Sequence, residues 1–259
     1  MAKQKETAVV FSQEKLTDGI YSMWIETPAI AAAAKAGQFL SLYCGTADRL
    51  LPRPISICGI DRENGRIRIV YRVAGKGTEE FSSYQKGDPV TILGPLGNGF
   101  PLPEGKVMLI GGGIGIPPML QLAKELPGEK LAVLGYRTGK TAKDEFLLDE
   151  FRQVLPTWVA TEDGSDGTKG NVLDAIKGEK LAADVICACG PTPMLRAIKA
   201  YAASQGIRCF ISMEERMACG IGACLGCVCG SKDTDSHSNV HNKRICKDGP
   251  VFDAEEVEL

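Results

Sequence analysis

Five of the chain's ten cysteines crowd into positions 219–246, and four of them, Cys219, Cys224, Cys227 and Cys246, are spaced C-x4-C-x2-C-x18-C. This pattern restricts the fold more than any other feature, because a segment built on thiols is organised by what the thiols hold. Two iron atoms bridged by two sulfides need four thiolates, two per iron, from a tight loop and one more distant strand, and the plant-type ferredoxin spacing meets that need. Gly220, Gly222 and Gly226 let such a loop bend and aim backbone N–H groups at sulfur. A structural zinc ion also takes four cysteines, usually from two separate C-x2-4-C knuckles, whereas only one C-x2-C pair occurs here. Cys229 is a fifth thiol, a spare or a substitute ligand, and its closeness to Cys227 makes it the poorer choice. The remaining five, Cys44, Cys58, Cys187, Cys189 and Cys209, are scattered and are expected to be mostly small buried core residues.

A disulfide framework belongs to small secreted domains, and this chain of 259 residues has room for two domains and an appendage. Its start, MAKQKETAVV, lacks the apolar stretch of a secretion signal, and no later run is apolar enough for a spanning helix. A cytoplasmic protein is therefore expected, in which clustered cysteines serve as metal or cluster ligands. With 30 basic against 32 acidic residues and no basic run, nucleic acid is not expected as a partner.

The first hundred residues read as β structure. FLSLYC (39–44), GRIRIVYRV (65–73) and DPVTIL (88–93) are short, apolar or alternating, and bounded by Gly, Pro and Asp. Such strands, without helical patterns between them, imply a closed antiparallel barrel. The stretch 94–105, dense in Gly and Pro, marks a boundary. Beyond it strands at 107–110, 131–137, 158–161 and 184–189 alternate with helical patterns at 117–126, 144–155 and 192–205, the last expected to be capped by Thr192 with Pro193 in its first turn. That alternation predicts a parallel sheet with βαβ crossovers.

Four segments carry candidate binding chemistry. Gly111, Gly112, Gly113 and Gly115 follow a strand and open a helix, where a chain without side chains can approach a pyrophosphate; Pro118 stands where G-x-G-x-x-G has its last glycine, and an ordinary strand-to-helix turn is the alternative. Cys189 and Gly190 end another parallel strand, the place where open α/β sheets bind ligands, and would leave room for a nicotinamide ring unless Cys189 is simply packed. Arg53-Pro54-Ile55-Ser56 offers an arginine that can hold a diphosphate bidentately and a hydroxyl within reach of a flavin nitrogen; alone, such an arginine is more often a surface charge. Gly75-Lys76-Gly77-Thr78, following Tyr71 and Arg72, reads as a second phosphate-cradling turn with a helix start behind it, or as a plain hairpin. After the second strand of the nucleotide domain, Tyr136-Arg137-Thr138 supplies an arginine in place of the acidic residue that binds NAD ribose hydroxyls, so NAD and NADP both stay open.

In order, RPIS, YRVAGKGT, GPLGNGF, GGGIGIPP, CGPTPM and EERMACGIGACLGC…C resemble the ferredoxin-reductase-like superfamily and, within it, the electron-transfer subunits of B-type dihydroorotate dehydrogenases. The first four motifs are shared by many flavin reductases; MEERMACGIGACLGCVC with CKDGPVF (246–252) is far more specific. The resemblance implies mixed β and α/β architecture: an antiparallel FAD-binding barrel over 1–100, an NAD-binding α/β domain with a parallel sheet over 101–212, and a [2Fe–2S] lobe over 213–259. It implies FAD contacts at Arg53, Pro54, Ile55, Ser56, Val70, Tyr71, Arg72, Gly77 and Thr78, and cluster ligation by Cys219, Cys224, Cys227 and Cys246. It also implies a partner, an FMN-containing catalytic subunit in a heterotetramer of two of each, with electrons from dihydroorotate passing by way of [2Fe–2S] and FAD to NAD+ in pyrimidine biosynthesis. No residue of this chain would then act on dihydroorotate. The alternatives are an NAD(P)H reductase subunit of another redox complex, of the sulfhydrogenase or ferredoxin:NAD(P) reductase type, and a zinc-stabilised interaction module.

Overall fold

The computed structural model describes residues 3–46, 49–141, 143–234 and 239–259. Six strands, β1 (Gln4–Thr17), β2 (Ile20–Glu26), β3 (Phe39–Tyr43), β4 (Arg53–Asp61), β5 (Arg66–Arg72) and β6 (Pro89–Leu96), close into an antiparallel barrel in the order β1-β2-β5-β4-β3-β6. Period-two alternation builds it: Leu40, Leu42, Ile55, Ile57, Ile67, Ile69, Tyr71 and Ile92 share the interior, and closure leaves no strand edge unpaired. Two short helices accompany the strands, one not expected from the sequence and one at the helix start expected behind Gly75-Lys76-Gly77-Thr78. α1 (Pro28–Ala33) buries Ile30 and Ala31, and α2 (Lys76–Ser82) buries Phe81. Both are under two turns long, too short for a 3.6-residue period to show.

The second sheet holds seven strands in the order β10-β9-β8-β7-β11-β12-β15. Its members in chain order are β7 (Val107–Gly112), β8 (Lys130–Tyr136), β9 (Thr157–Thr161), β10 (Thr168–Lys169), β11 (Val185–Cys189) and β12 (Arg208–Ser212). After β13 (Val228–Gly230) and β14 (Asn242–Arg244), which pair antiparallel with each other, β15 (Val251–Asp253) joins the edge antiparallel to β12; all other pairs of the seven-stranded sheet are parallel. α3 (Ile116–Glu125), α4 (Leu148–Arg152), α5 (Val172–Gly178) and α6 (Thr192–Gln205) accompany the sheet. β7 lies between β8 and β11, so the strand order reverses at the β7–β11 seam, the switch point at which such sheets take ligands.

Two sequence expectations differ in detail. The helix expected over 144–155 shrinks to α4, because Leu147 adopts a left-handed φ of 68° and the buried Glu145, Phe146 and Leu147 pack as a turn; there the Tyr136 hydroxyl donates to the Phe146 carbonyl. Thr192 is the first helical residue of α6 rather than its cap. Pro191 holds the cap position, with no side-chain hydrogen bond.

Barrel and sheet are joined by part-buried polar contacts. Arg68 on β5 donates from Nη1 to both carboxylate oxygens of Glu150 on α4 at 2.8 and 2.7 Å, and from Nε to Ser22 Oγ at 2.9 Å. Gln121 on α3 accepts from the Ile60 amide at 2.8 Å and donates to Glu125, which also pairs with Arg62. These contacts hold the switch point at a fixed place against the barrel.

Candidate functional site

The barrel motifs meet through one guanidinium. A Cβ on Gly77 would lie 2.7 Å from Arg53 Nε and 3.0 Å from its Cζ, so only glycine at the start of α2 lets Arg53 lie flat over the turn. Gly75 caps that helix, with Thr78 Oγ1 accepting from the Ala74 and Gly75 amides. Arg53 donates to the Leu51 carbonyl; among the described residues neither Arg53 nor Arg72 has an ion-pair partner. Both cations are therefore available to an anion beside the turn. Ser56 is half-buried. Tyr71 and Ile55 turn their side chains into the barrel core, and the Tyr71 hydroxyl donates to Gln13. Val70 packs in the core shared with the sheet. A ligand could meet Tyr71 and Val70 only at their backbone.

Arg72 reaches across the domain junction. Its Nη2 would be 3.6 Å from a Cβ on Gly113, which has a left-handed φ of 53°. The other glycines of that turn permit close packing as well as ligand approach. A Cβ on Gly115 would meet the Cys189 carbonyl oxygen at 2.3 Å, and one on Gly112 the Met194 sulfur at 2.5 Å. Gly111 pairs with Cys189 across β7 and β11. Gly111, Gly112, Gly113, Gly115, Cys189 and Gly190 thus lie together at the switch point, most of them buried. Cys189 is buried, and burial pushes its thiol up to about 12, so it packs as a neutral group.

Farther along the sheet, a cleft of about 440 Å³ is lined by Arg137, Thr138, Lys140, Glu162 and Asp163. The carboxylates missing after β8 stand after β9 instead. Asp163 accepts from the Ser165 and Thr138 hydroxyls, which hold it down at about 2.

The four tail cysteines come together as two pairs. Burial raises the Cys219 thiol, but the Ile221, Cys224 and Ala223 amides and the Cys224 thiol outweigh it, bringing Cys219 to about 6. A hydrogen bond from the Cys246 thiol, working against burial and helped by the Cys246 amide at 3.4 Å, brings Cys227 to about 6 as well. Cys246 is correspondingly raised. Thiols brought together in twos, Cys219 with Cys224 and Cys227 with Cys246, suit a centre of two irons. Cys229 stands apart, its thiol directed at the Lys243 carbonyl.

The cysteine loop leans on the barrel. A Cβ on Gly220 would lie 3.0 Å from Ser41 Oγ and 3.4 Å from Leu96 Cδ1. A cleft of about 500 Å³ is lined by Arg53 and Pro54 together with Arg216 and Met217, just ahead of Cys219, and by Arg49–Pro52. Sequence reasoning passed over Ser41, Arg216 and Met217. The outward register of Ser41 between Leu40 and Leu42 was a visible signal; the cleft was not, since it joins segments 160 residues apart.

Residues 214–258 match the model of the iron-sulfur cluster binding domain of dihydroorotate dehydrogenase B. The chain is 42% identical, over 98% of its length and 99% of the relative's, to the dihydroorotate dehydrogenase B (NAD(+)) electron transfer subunit of Bacillus caldolyticus. With the corresponding subunit of Listeria monocytogenes serovar 1/2a it shares 43% identity over 96% and 97%. The solved structure of an NADH-dependent reduced ferredoxin-NADP oxidoreductase, described in connection with flavin-based electron bifurcation, superposes with a TM-score of 0.86 at 30% identity, over 98% of this chain and 90% of that one.

Proposed function

Since the chain belongs to the family of dihydroorotate dehydrogenase B (NAD(+)) electron transfer subunits, we propose that it carries electrons between an FMN-containing, dihydroorotate-oxidising catalytic subunit and NAD+ in pyrimidine biosynthesis. The observation that carries this reading is the meeting of three segments. Arg53 lies over Gly77, Arg72 reaches Gly113, and Arg53-Pro54 shares a cleft with Arg216-Met217 at the entrance of the cysteine loop.

Each part of the chain has a task. Arg53 and Arg72 supply positive charge for a flavin diphosphate, Gly77 and Thr78 a tight helix start beside it, and Pro54, Ile55, Ser56, Val70 and Tyr71 the adjoining strand backbone and the Ser56 hydroxyl. Gly111, Gly112, Gly113 and Gly115, with Cys189 and Gly190, leave room for the nicotinamide end of NAD(H). Cys219 with Cys224, and Cys227 with Cys246, hold the [2Fe–2S] cluster, and the loop amides aimed at sulfur favour thiolate. When bound, FAD supplies the exchange between a two-electron hydride and the single electrons that an iron–sulfur centre carries.

The partner docks on the face around that loop, where Leu50, Leu51, Ile221, Leu225 and Val228 are exposed large apolar residues, Leu50 to 82%; apolar exposure of this kind suits a subunit interface. We place two copies of each subunit in a cytoplasmic heterotetramer. Among the described residues no helix is long and apolar enough to cross a membrane. Likeness to the ferredoxin-NADP oxidoreductase supports a second reading, with another electron partner.

Anaerobic purification of the chain, followed by an absorbance spectrum, flavin identification and iron and sulfide analysis, tests the cofactors. The isolated chain is expected to reduce artificial acceptors with NADH and to leave dihydroorotate untouched. A colourless preparation without acid-labile sulfide, or dihydroorotate turnover by the chain alone, would overturn the proposal. Co-purification with a ferredoxin-linked enzyme instead of a dihydroorotate-oxidising one would favour the second reading.

A further inference from the structure

Ser41 lies on β3, paired with Pro54 of the RPIS segment on one side and Leu93 of β6 on the other. Its neighbours Leu40 and Leu42 enter the barrel core, so alternation turns Ser41 outward. There it is covered: its exposure is 0%, and Oγ has no hydrogen-bond partner among the described residues. What covers it is the cysteine loop. Gly220, at a left-handed φ of 68°, presents its Cα so closely that a Cβ would sit 3.0 Å from Ser41 Oγ.

A native fold rarely leaves a buried hydroxyl unpaired, and one that is unpaired points to an acceptor outside the polypeptide. The residue beside Gly220 is Cys219, whose sulfur already accepts from two amides of its own loop. We propose that Ser41 is a positioning residue of the iron–sulfur centre, its hydroxyl donating to a sulfur on the Cys219 side. This rests on the reading of the four cysteines as [2Fe–2S] ligands. Hydrogen bonds to sulfur are one of the levers that set the potential of such centres. Reduction adds a negative charge, which a donated hydrogen bond stabilises, so Ser41 raises the potential. The barrel that holds the flavin motif thereby also adjusts the neighbouring centre.

The test is an EPR-monitored redox titration of the loaded full-length chain. In Ser41→Ala the ratio of reduced to oxidised centre at a fixed potential is expected to fall roughly tenfold, as for loss of one hydrogen bond to a charged group; that is a downward shift of about 59 mV for a one-electron couple. Iron and sulfide content and the flavin potential stay as in the parent chain. Ser41→Thr keeps the parent potential and Ser41→Val reproduces the shift. That pair, equal in size and differing in the hydroxyl, decides the matter if the alanine variant does not load. Equal potentials across these variants, or a shift in the flavin potential alone, overturn the assignment. A parent chain with no signal from a reduced iron–sulfur centre refutes the cluster reading itself, which is a separate result.

Discussion

Replacing Glu150 by glutamine tests whether the contact between barrel and nucleotide sheet is an energetic joint. The guanidinium of Arg68 is 8% exposed, and its Nη1 donates to both oxygens of Glu150, whose own side chain is 36% exposed. Glu14 is farther away at 3.7 Å and mostly in solvent. Removing one partner of a fully buried pair costs about 3–5 kcal/mol, because the other charge is left uncompensated. The partial exposure of Glu150 and the residual pull of Glu14 reduce this to about 2 kcal/mol. For a chain of this size that corresponds to a fall of about 4–8 °C in Tm. Arg68→Met should cost less, about 1 kcal/mol, since it leaves a carboxylate that can turn to water. The double variant should be more stable than the two single losses predict by about 1 kcal/mol or more, the signature of coupled neighbours. Thermal and urea denaturation of the FAD-loaded protein provide the measurement. A Glu150→Gln loss under about 0.5 kcal/mol, or strict additivity in the cycle, would show that the pair is ornamental and that the apolar contacts carry the joint.

Gly115→Ala should keep flavin but slow its reduction by NADH about 100-fold, because the new Cβ would push apart the two turns of the switch point and small misplacements cost that much in hydride geometry; stopped-flow absorbance reads it, and an unchanged rate would remove this turn from the nicotinamide site. Burial, with hydrogen bonding and repulsion from Asp166, raises Glu145 to about 7. The fold then keeps a proton that the unfolded chain releases above its ordinary value of 4.5, so this group's contribution to stability falls as pH rises from about 4.5 to about 7. Glu145→Gln should flatten that part of the Tm–pH profile, and an identical slope in the variant would disprove it. Cys229→Ala should retain two irons and two sulfides while Cys246→Ala does not; iron and sulfide analysis would expose the reverse.

The barrel was readable because alternation in FLSLYC, GRIRIVYRV and DPVTIL reports burial on one face, and the parallel sheet because short apolar runs such as VICAC end at glycine. Of the barrel helices α1 escaped, being too short for a period, while the glycine turn at 75–78 marked the start of α2, and α4 was overestimated because a helical pattern of Phe and Leu serves equally well in a buried turn around Phe146. For the site, the types of residue were legible and their neighbours were not. Arg53 and Gly77 could each be singled out, but that the guanidinium lies on the glycine depends on the pairing of β3 with β4 and the placement of α2. The pairing of Cys219 with Cys224, and of Cys227 with Cys246, likewise comes from how the loop closes. Tyr71 shows the opposite case: the motif points to it, while packing commits its ring to the core.

The end of the chain returns to where the tail left the sheet. Ser212 is opposite Val251, and the Met213 amide donates to the Pro250 carbonyl at 2.9 Å. Topologically, residues 213–250 are one long excursion between neighbouring antiparallel strands, an ornate hairpin tip. Its two feet stand side by side, so the excursion is a module that can be exchanged without rethreading the reductase beneath it. Oxidative damage to the thiols would then cut the exchange with the partner while leaving the flavin and nicotinamide halves folded and able to meet.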